Sequence, residues 1–400
     1  MPISKLLIIT LLTATLASAG FDRPRYAWSE LDEPSLEIAG EGYSLRWEPW
    51  TDTAVLARRG RSFELDLGDC GFPLGCLGGY LYFGYRSPDE PTRLLVRRMH
   101  TDDADLGFFV DMYELDVPTS YAEFALSPEG DRLAVAAGGD GREVEVTIYS
   151  LGRESEVIRS RTFPVETKQV RVSVHLLEWS DNGESLYLNF HPHSPASDEF
   201  LDLQPLLCWK LTTDTVEEVL GEVGWVLPVA GRDGGTVVLA EEMVAAPALW
   251  TMPWGCHPGY QPYGLSRWWE LDPATGELSP LIATDPADAA RLFDGDPATT
   301  WRGEGVALDF GRLLPLAGFL IVGGRAEAGG STAEDTVTWD VRFELAPHES
   351  PYELRGSPER IPVGDVVRTV DLTCFPSRPE REERAVTAEL MPLFAFRPVP

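Results

Sequence analysis

Two stretches decide the fold of this chain: Ala122-Glu-Phe-Ala-Leu-Ser-Pro-Glu-Gly-Asp-Arg-Leu-Ala-Val-Ala136 and Leu177-Glu-Trp-Ser-Asp-Asn-Gly-Glu-Ser-Leu-Tyr-Leu-Asn189. Each leads from an aromatic strand through a serine and a turn residue to a glycine, then into an alternating strand. Ser127, Gly130 and Leu133 align with Ser180, Gly183 and Leu186 without a gap. The glycine supplies the positive φ that a tight hairpin turn needs. The alternation places every second residue of the returning strand on one buried face.

A further outer strand follows each hairpin: Glu145-Val-Thr-Ile-Tyr-Ser-Leu151 after the first and Leu207-Cys-Trp-Lys-Leu211 after the second. Arg267-Trp-Trp-Glu-Leu-Asp-Pro-Ala-Thr-Gly-Glu-Leu278 repeats the strand, turn, strand plan. Ser62–Leu67 and Asp111–Asp116 read as degenerate versions of it. With 37 glycines, 32 prolines and scarce helical periodicity from Gly40 to Leu281, the chain is expected to be all-β. A four-stranded unit recurring every roughly 40–60 residues is the signature of a propeller, with a pair of β-sandwiches as the alternative.

Phe124 to Ala136 and Trp179 to Asn189 resemble the Ser-Pro-Asp-Gly blade motif of TolB-like β-propellers, and Arg267 to Leu278 resembles the outer hairpin of such blades. The resemblance implies an N-terminal β-propeller-like domain over residues 20–281, with about five or six blades. A propeller hosts many functions, so it implies no activity.

The character of the sequence changes near Ala283. Asp285 to Asp294 reads as a short helical or turn segment. It leads into Arg291-Leu-Phe-Asp-Gly-Asp-Pro-Ala-Thr-Thr-Trp301. Strands are expected at Gly305–Phe310, Leu316–Gly323, Val337–Leu345, Val366–Thr373 and Ala385–Phe396. Short strands and long loops over roughly 115 residues read as a β-sandwich. Asp294, Asp296 and Thr299 place oxygens within one turn, a donor set that suits calcium, which takes about six to eight oxygens. The same side chains could instead bond their own backbone.

Leu292–Trp301, Val306–Gly311 and Leu316–Gly323 together are similar to the discoidin (coagulation-factor type C) domain, whose fold is galactose-binding-like. The resemblance implies a C-terminal sandwich over 282–400 that recognises a glycan or cell-surface component. It also implies a structural calcium at Asp294, Asp296 and Thr299, with Glu389 as a distant ligand. Trp301 has a face that suits a sugar ring, but a large aromatic beside a strand usually packs inward, so a core position beneath the turn is the leading reading. Arg302, Arg325 and Trp339 are further candidates for the binding end.

The first residues read as an export signal. Lys5 supplies the basic start, Leu6 to Leu16 the apolar run, and Ala17-Ser18-Ala19 a small-x-small cleavage site before Gly20. That run is too short to span a bilayer, which takes roughly 20 residues. The mature chain, secreted or periplasmic, is expected not to span a membrane. A net charge of −31 argues against nucleic acid or anionic lipid as partners, since both need a cationic surface. Five cysteines are few for an exported chain. Cys70 and Cys76 bracket a turn-rich loop and could close a small disulfide ring, Cys208 reads as a buried thiol, and Cys256 and Cys374 are unassigned.

The motifs of hydrolytic chemistry are missing. There is no Gly-x-Ser-x-Gly elbow and no His-Glu-x-x-His. His191-Pro-His193 reads as a surface loop, and Cys256-His257 as part of an aromatic, proline-rich insertion from Pro253 to Tyr263. With 64 acidic residues, no carboxylate pair stands out. The expectation is an exported, non-enzymatic binding protein without an organic cofactor, its propeller free to present loops to a protein partner. The alternatives are a glycan-active hydrolase that uses the sandwich for targeting, and a structural envelope or assembly protein. The centre of the propeller discriminates: an acidic pair with a base or ion within hydrogen-bond reach around one cavity favours catalysis, and an apolar plug favours a scaffold.

Overall fold

The two decisive turns form as their sequences dictate. Ser127 N–H donates to Arg132 O, Gly130 N–H donates to Ser127 O, and the Ser127 hydroxyl accepts from Arg132 N–H at 3.0 Å. Ser180, Gly183 and Ser185 repeat these bonds, Ser185 N–H reaching Ser180 Oγ at 2.9 Å. Gly130 and Gly183 have φ of 69° and 65°.

This computed structural model describes residues 21–27, 35–47, 53–68, 71–87, 89–105, 109–117, 122–140, 142–152, 155–165, 171–193, 203–232, 235–245, 265–285, 287–293, 301–302, 305–327, 337–344, 352–355, 360–376 and 385–394. Among these residues the chain is all-β, the helical turns being 3-10 segments at Thr101–Asp103 and Ala287–Phe293. The second confirms the turn expected between Asp285 and Asp294.

Two short strands open the described chain, β1 (Phe21–Asp22) and β2 (Arg25–Ala27). Antiparallel meanders follow in chain order. The first is β3 (Ser35–Gly40), β4 (Tyr43–Trp47), β5 (Thr53–Arg58) and β6 (Arg61–Asp66). The second is β7 (Gly71–Leu77), β8 (Tyr80–Ser87), β9 (Glu90–His100) and β10 (Val110–Asp116). The third is β11 (Ala122–Leu126) and β12 (Arg132–Ala137), then, past the two-residue β13 (Gly139–Asp140), β14 (Glu143–Ser150) and β15 (Val157–Pro164). The fourth is β16 (Arg171–Trp179), β17 (Ser185–His193), β18 (Gln204–Lys210) and the first half of β19 (Thr215–Ala230). The fifth takes the second half of β19 with β20 (Thr236–Ala245), β21 (Leu265–Leu271) and β22 (Leu278–Pro280).

Glu145–Leu151, Leu207–Leu211 and Arg267–Leu271 are thus third strands of their meanders. Ser62–Leu67 and Asp111–Asp116 fall instead on the fourth strands, β6 and β10. Period-two alternation is common to every strand of a meander, so it cannot rank them. His191 and His193, expected in a loop, stand on β17 opposite Ser173 and Arg171.

Each meander packs face to face on the next, because alternate residues of one strand serve two interfaces. Leu81 and Phe83 of β8 join Ile38, Leu45 and Leu56 of the first meander, while Tyr82 between them joins Leu133 and Val135 of the third. On β12, Ala134 and Ala136 face the other way, onto Trp179, Leu186 and Leu188 of the fourth. Tyr187, Leu206 and Cys208 then meet Val226, Val238 and Leu271 of the fifth. Each large apolar side chain buried this way contributes roughly 1.5–3 kcal/mol.

The expected disulfide at Cys76 is not formed. Cys76 is a free thiol, 1% exposed, packed among Ile38, Leu81 and Met99 on β7, where alternation points it into the core. Cys70 lies outside the described residues. Cys208 is a buried free thiol, as its apolar strand suggested.

The C-terminal sheet holds β23 (Ala283–Asp285), β24 (Trp301–Arg302), β25 (Gly305–Glu327), β26 (Val337–Glu344), β27 (Tyr352–Arg355), β28 (Arg360–Pro376) and β29 (Ala385–Phe394). Its order is β24-β29-β25-β28-β26-β27, with β23 on β25. Two strands expected separately, 305–310 and 316–323, run together as β25, whose ladder shifts between Asp309 and Leu314 around Gly311 at φ 72°.

Candidate functional site

Residues 21–27 lie between several of the meanders. β1 pairs with β7, Phe21 opposite Leu77 and Asp22 opposite Cys76. β2 pairs antiparallel with β3 and parallel with β19, Tyr26 standing opposite both Leu36 and Val229. Arg23 reaches the fourth meander: its guanidinium is 2.7 Å from Glu178 Oε1 and 2.7 Å from Asp181 Oδ1, and it donates to Trp179 O. Arg25 donates to Gly235 O in the fifth at 3.2 Å. Tyr26 lies within electrostatic reach of Glu123 in the third. Seven extended residues cover only about 23 Å, and within that span the segment contacts the first, second, fourth and fifth meanders.

Backbone and side chains make room for it. A Cβ on Gly75 would come 2.5 Å from the Phe21 ring, so only glycine lets β7 approach this closely. The Tyr43 hydroxyl donates to Asp22 Oδ2. Burial raises the Asp22 pKa against the opposing pull of that bond, and burial and Asp22 raise that of Tyr43. The phenol therefore stays protonated and acts as a donor. Burial also pushes up the Cys76 thiol, which keeps it neutral and removes it as a nucleophile.

The carboxylates around the segment divide into two kinds. Burial pushes Glu178 up and the Arg23 charge opposes it, so the group is committed to one cation. Glu123 is crowded by protein atoms, which push it up to about 7 against the charge of Arg86, yet its side chain keeps solvent contact. The arrangement is suited to holding a peptide chain by charge and hydrogen bonds.

The predicted ligand residues sit in the C-terminal sheet. Trp301 and Arg302 stand opposite Val386 and Ala385 of β29. The other edge of β29 carries Arg325 opposite Thr387, and Val322 opposite Glu389. Four predicted positions, 301, 302, 325 and 389, therefore share one end of β29. Trp339 stands apart on β26, opposite Cys374 of β28. Asp294, Asp296 and Thr299 lie outside the described residues, as do Cys256 and His257.

The fifth meander and the C-terminal sheet meet at a charged junction. Arg312 Nη2 is 2.6 Å from Glu270 Oε1, with 8% and 12% of the two side chains exposed. Arg232 Nη2 donates to Leu281 O at 3.2 Å and to Asp309 O at 3.1 Å.

No family model matches the chain, and no curated protein matches it. Among solved structures it is similar to Kluyveromyces lactis Hsv2 at 13% identity and a TM-score of 0.33, covering 51% of this chain and 65% of that one. It is also similar to a chain from a study of two prolyl endopeptidases, at 11% identity and TM-score 0.33 over 90% of this chain and 51% of the other. A third is an engineered GH43 glycoside hydrolase, at 9% identity and TM-score 0.27 over 95% and 99%. The chain thus spans less than two thirds of the first two. Likenesses at these scores carry no argument about function. Among the described residues no helix is long and apolar enough to cross a membrane.

Sequence reasoning missed the central segment. Its signal was present: Arg23-Pro24-Arg25 is a basic pair in a strongly acidic chain. Nothing in a one-dimensional reading says that Glu178 and Asp181 receive it.

Proposed function

We infer that this chain is an exported, non-enzymatic binding protein. In this reading the five meanders are the blades of a TolB-like β-propeller over residues 20–281, which serves as a scaffold. Residues 282–400 are a discoidin-like, galactose-binding-like sandwich that recognises a glycan or cell-surface component. The leader ends after Ala19, so the mature chain is secreted or periplasmic.

One observation carries the scaffold reading. Residues 21–27 pair with β7, β3 and β19, and the Glu178 carboxylate beside them is ion-paired with Arg23; in this reading they fill the place where a propeller enzyme would keep a cavity. A glycosidase needs two carboxyl groups facing an open site, about 5–9.5 Å apart. A carboxylate bound to a buried guanidinium cannot serve as one of them. Recognition is accordingly assigned to the end of β29 shared by positions 301, 302, 325 and 389, with Trp339 as an outlying contributor. In the same reading the turn of Asp294, Asp296 and Thr299, with Glu389, holds a structural calcium.

A glycan array probed with the mature chain, with calcium and with chelator, tests the reading. Calcium-dependent binding that Trp301→Ala and Arg325→Ala abolish is the expected result. Failure to bind any glycan or cell surface would favour a structural envelope or assembly role. Turnover of a saccharide, abolished by one substitution among residues 20–281, would overturn the non-enzymatic assignment.

A further inference from the structure

We propose that residues 21–27 are a strap that docks last, and that removal of the leader after Ala19 is the step that lets it close the five meanders into one body. The proposal rests on the export reading and adds a maturation step to it.

The strap is held by the wrong forces for an early core element. Its ladders are two and three residues long, and Arg23 is its only fully buried side chain. Phe21 is its one contributor to the apolar clusters between meanders, and it is only partly buried there. Retention therefore depends on charge and hydrogen bonding. Those partners lie far along the chain: Glu178 and Asp181 are 155 and 158 residues away, and Gly235 is 210 away from Arg25. They come together only after the fourth and fifth meanders have formed, and contacts of such separation are made late.

Closure also runs through this segment. In the hydrogen-bonded order of strands, β2 is what joins β19 of the fifth meander to β3 of the first. The other four junctions between successive meanders have their own apolar clusters. Geometry then ties the strap to maturation. Gly20 alone separates Ala19 from Phe21, a span of about 7 Å from Cα to Cα at most. A leader still held at the membrane keeps Phe21 at that surface and out of register with Leu77. Cleavage frees the new N terminus to enter.

Hydrogen exchange on purified full chains, the uncleaved one inserted in lipid vesicles, tests this. The mature chain is compared with an uncleaved Ala19→Phe chain and with a mature Arg23→Ala chain. Amides of residues 35–40 and 226–230 should exchange at least about tenfold faster in both variants than in the mature chain. The β11–β12 ladder should be unchanged in the uncleaved chain, and in Arg23→Ala it should lose protection less than the seam does. Equal protection at the seam in cleaved and uncleaved chains would overturn the strap. Loss of protection to the same extent in all five meanders on Arg23→Ala would also overturn it, because the segment would then belong to the folding core. Mass spectrometry of the exported chain separates the two readings: an intact leader, or cleavage elsewhere, would sink the export reading and the maturation step together.

Discussion

The guanidinium of Arg23 lies 2.7 Å from the carboxylate of Glu178, joining positions 155 residues apart, with 4% and 11% of the two side chains exposed. Neither charge has water to fall back on. The pair therefore costs little while complete and a great deal when halved.

Arg23→Ala is expected to destabilise the mature chain by about 3–5 kcal/mol, because it strands a buried carboxylate. Glu178→Gln should cost a similar amount. Asp181→Asn, at a side chain 58% exposed, should cost under about 1 kcal/mol. Replacing the pair together, by Arg23→Met with Glu178→Leu, should recover most of the loss. Urea unfolding of these chains, and of Arg23→Ala combined with Glu178→Gln, measures each term; a loss in that combination equal to the sum of its single losses would contradict the coupling.

Glu123 gives a pH dependence of known sign. Its folded pKa is pushed up to about 7 from an ordinary 4.5, so ionisation is disfavoured in the fold. Its contribution to stability is largest below 4.5 and is lost as pH rises through about 7. Glu123→Gln removes that term. The melting temperature of the variant, relative to wild type, should rise across this window and level off above it. A difference independent of pH would show that Glu123 ionises as freely in the fold as in the unfolded chain.

Gly183→Ala should cost about 1–2 kcal/mol, since its φ of 65° is left-handed and penalises any Cβ. The added carbon would also come 2.6 Å from Arg132 Nη2, which can swing away. That arginine lies 4.8 Å from the Trp179 ring, so part of a cation–π contact goes with it. Chemical denaturation, with Gly221→Ala as the control at ordinary φ, separates the backbone penalty from a general glycine effect.

Arg312→Ala should uncouple the C-terminal sheet from the fifth meander. The Arg312–Glu270 pair is as buried as the central one, so breaking it should cost roughly 3–5 kcal/mol at the junction. Scanning calorimetry should show one cooperative transition for wild type and two for the variant. Two transitions already present in wild type would mean that the junction transmits no stability. Cutting the chain after Leu281 removes Asp309 and Arg312 together, so the N-terminal piece should melt lower alone than within the full chain.

The aligned Ser127–Gly130 and Ser180–Gly183 turns, the alternation of the flanking strands and the sequence of Cys208 were enough to establish hairpins, an all-β chain and a buried thiol. The strand ranking was not legible, since alternation is the same in a third strand as in a fourth. The sequence alone leaves the state of Cys76 open, because a turn-rich stretch around two cysteines can close a disulfide loop. Its side-chain direction on β7 is fixed by pairing with β8, which the local sequence does not state.

Local pattern thus determined what each piece of this chain is, because hairpin turns and two-residue periodicity depend on neighbours a few positions away. Tertiary structure alone decided what fills the centre. The partners of Arg23 are set by how five separately legible meanders stack, and the stacking is governed by burial summed over whole faces. No window of sequence contains that sum, so a seven-residue segment became, only in three dimensions, an element that links the first, second, fourth and fifth meanders.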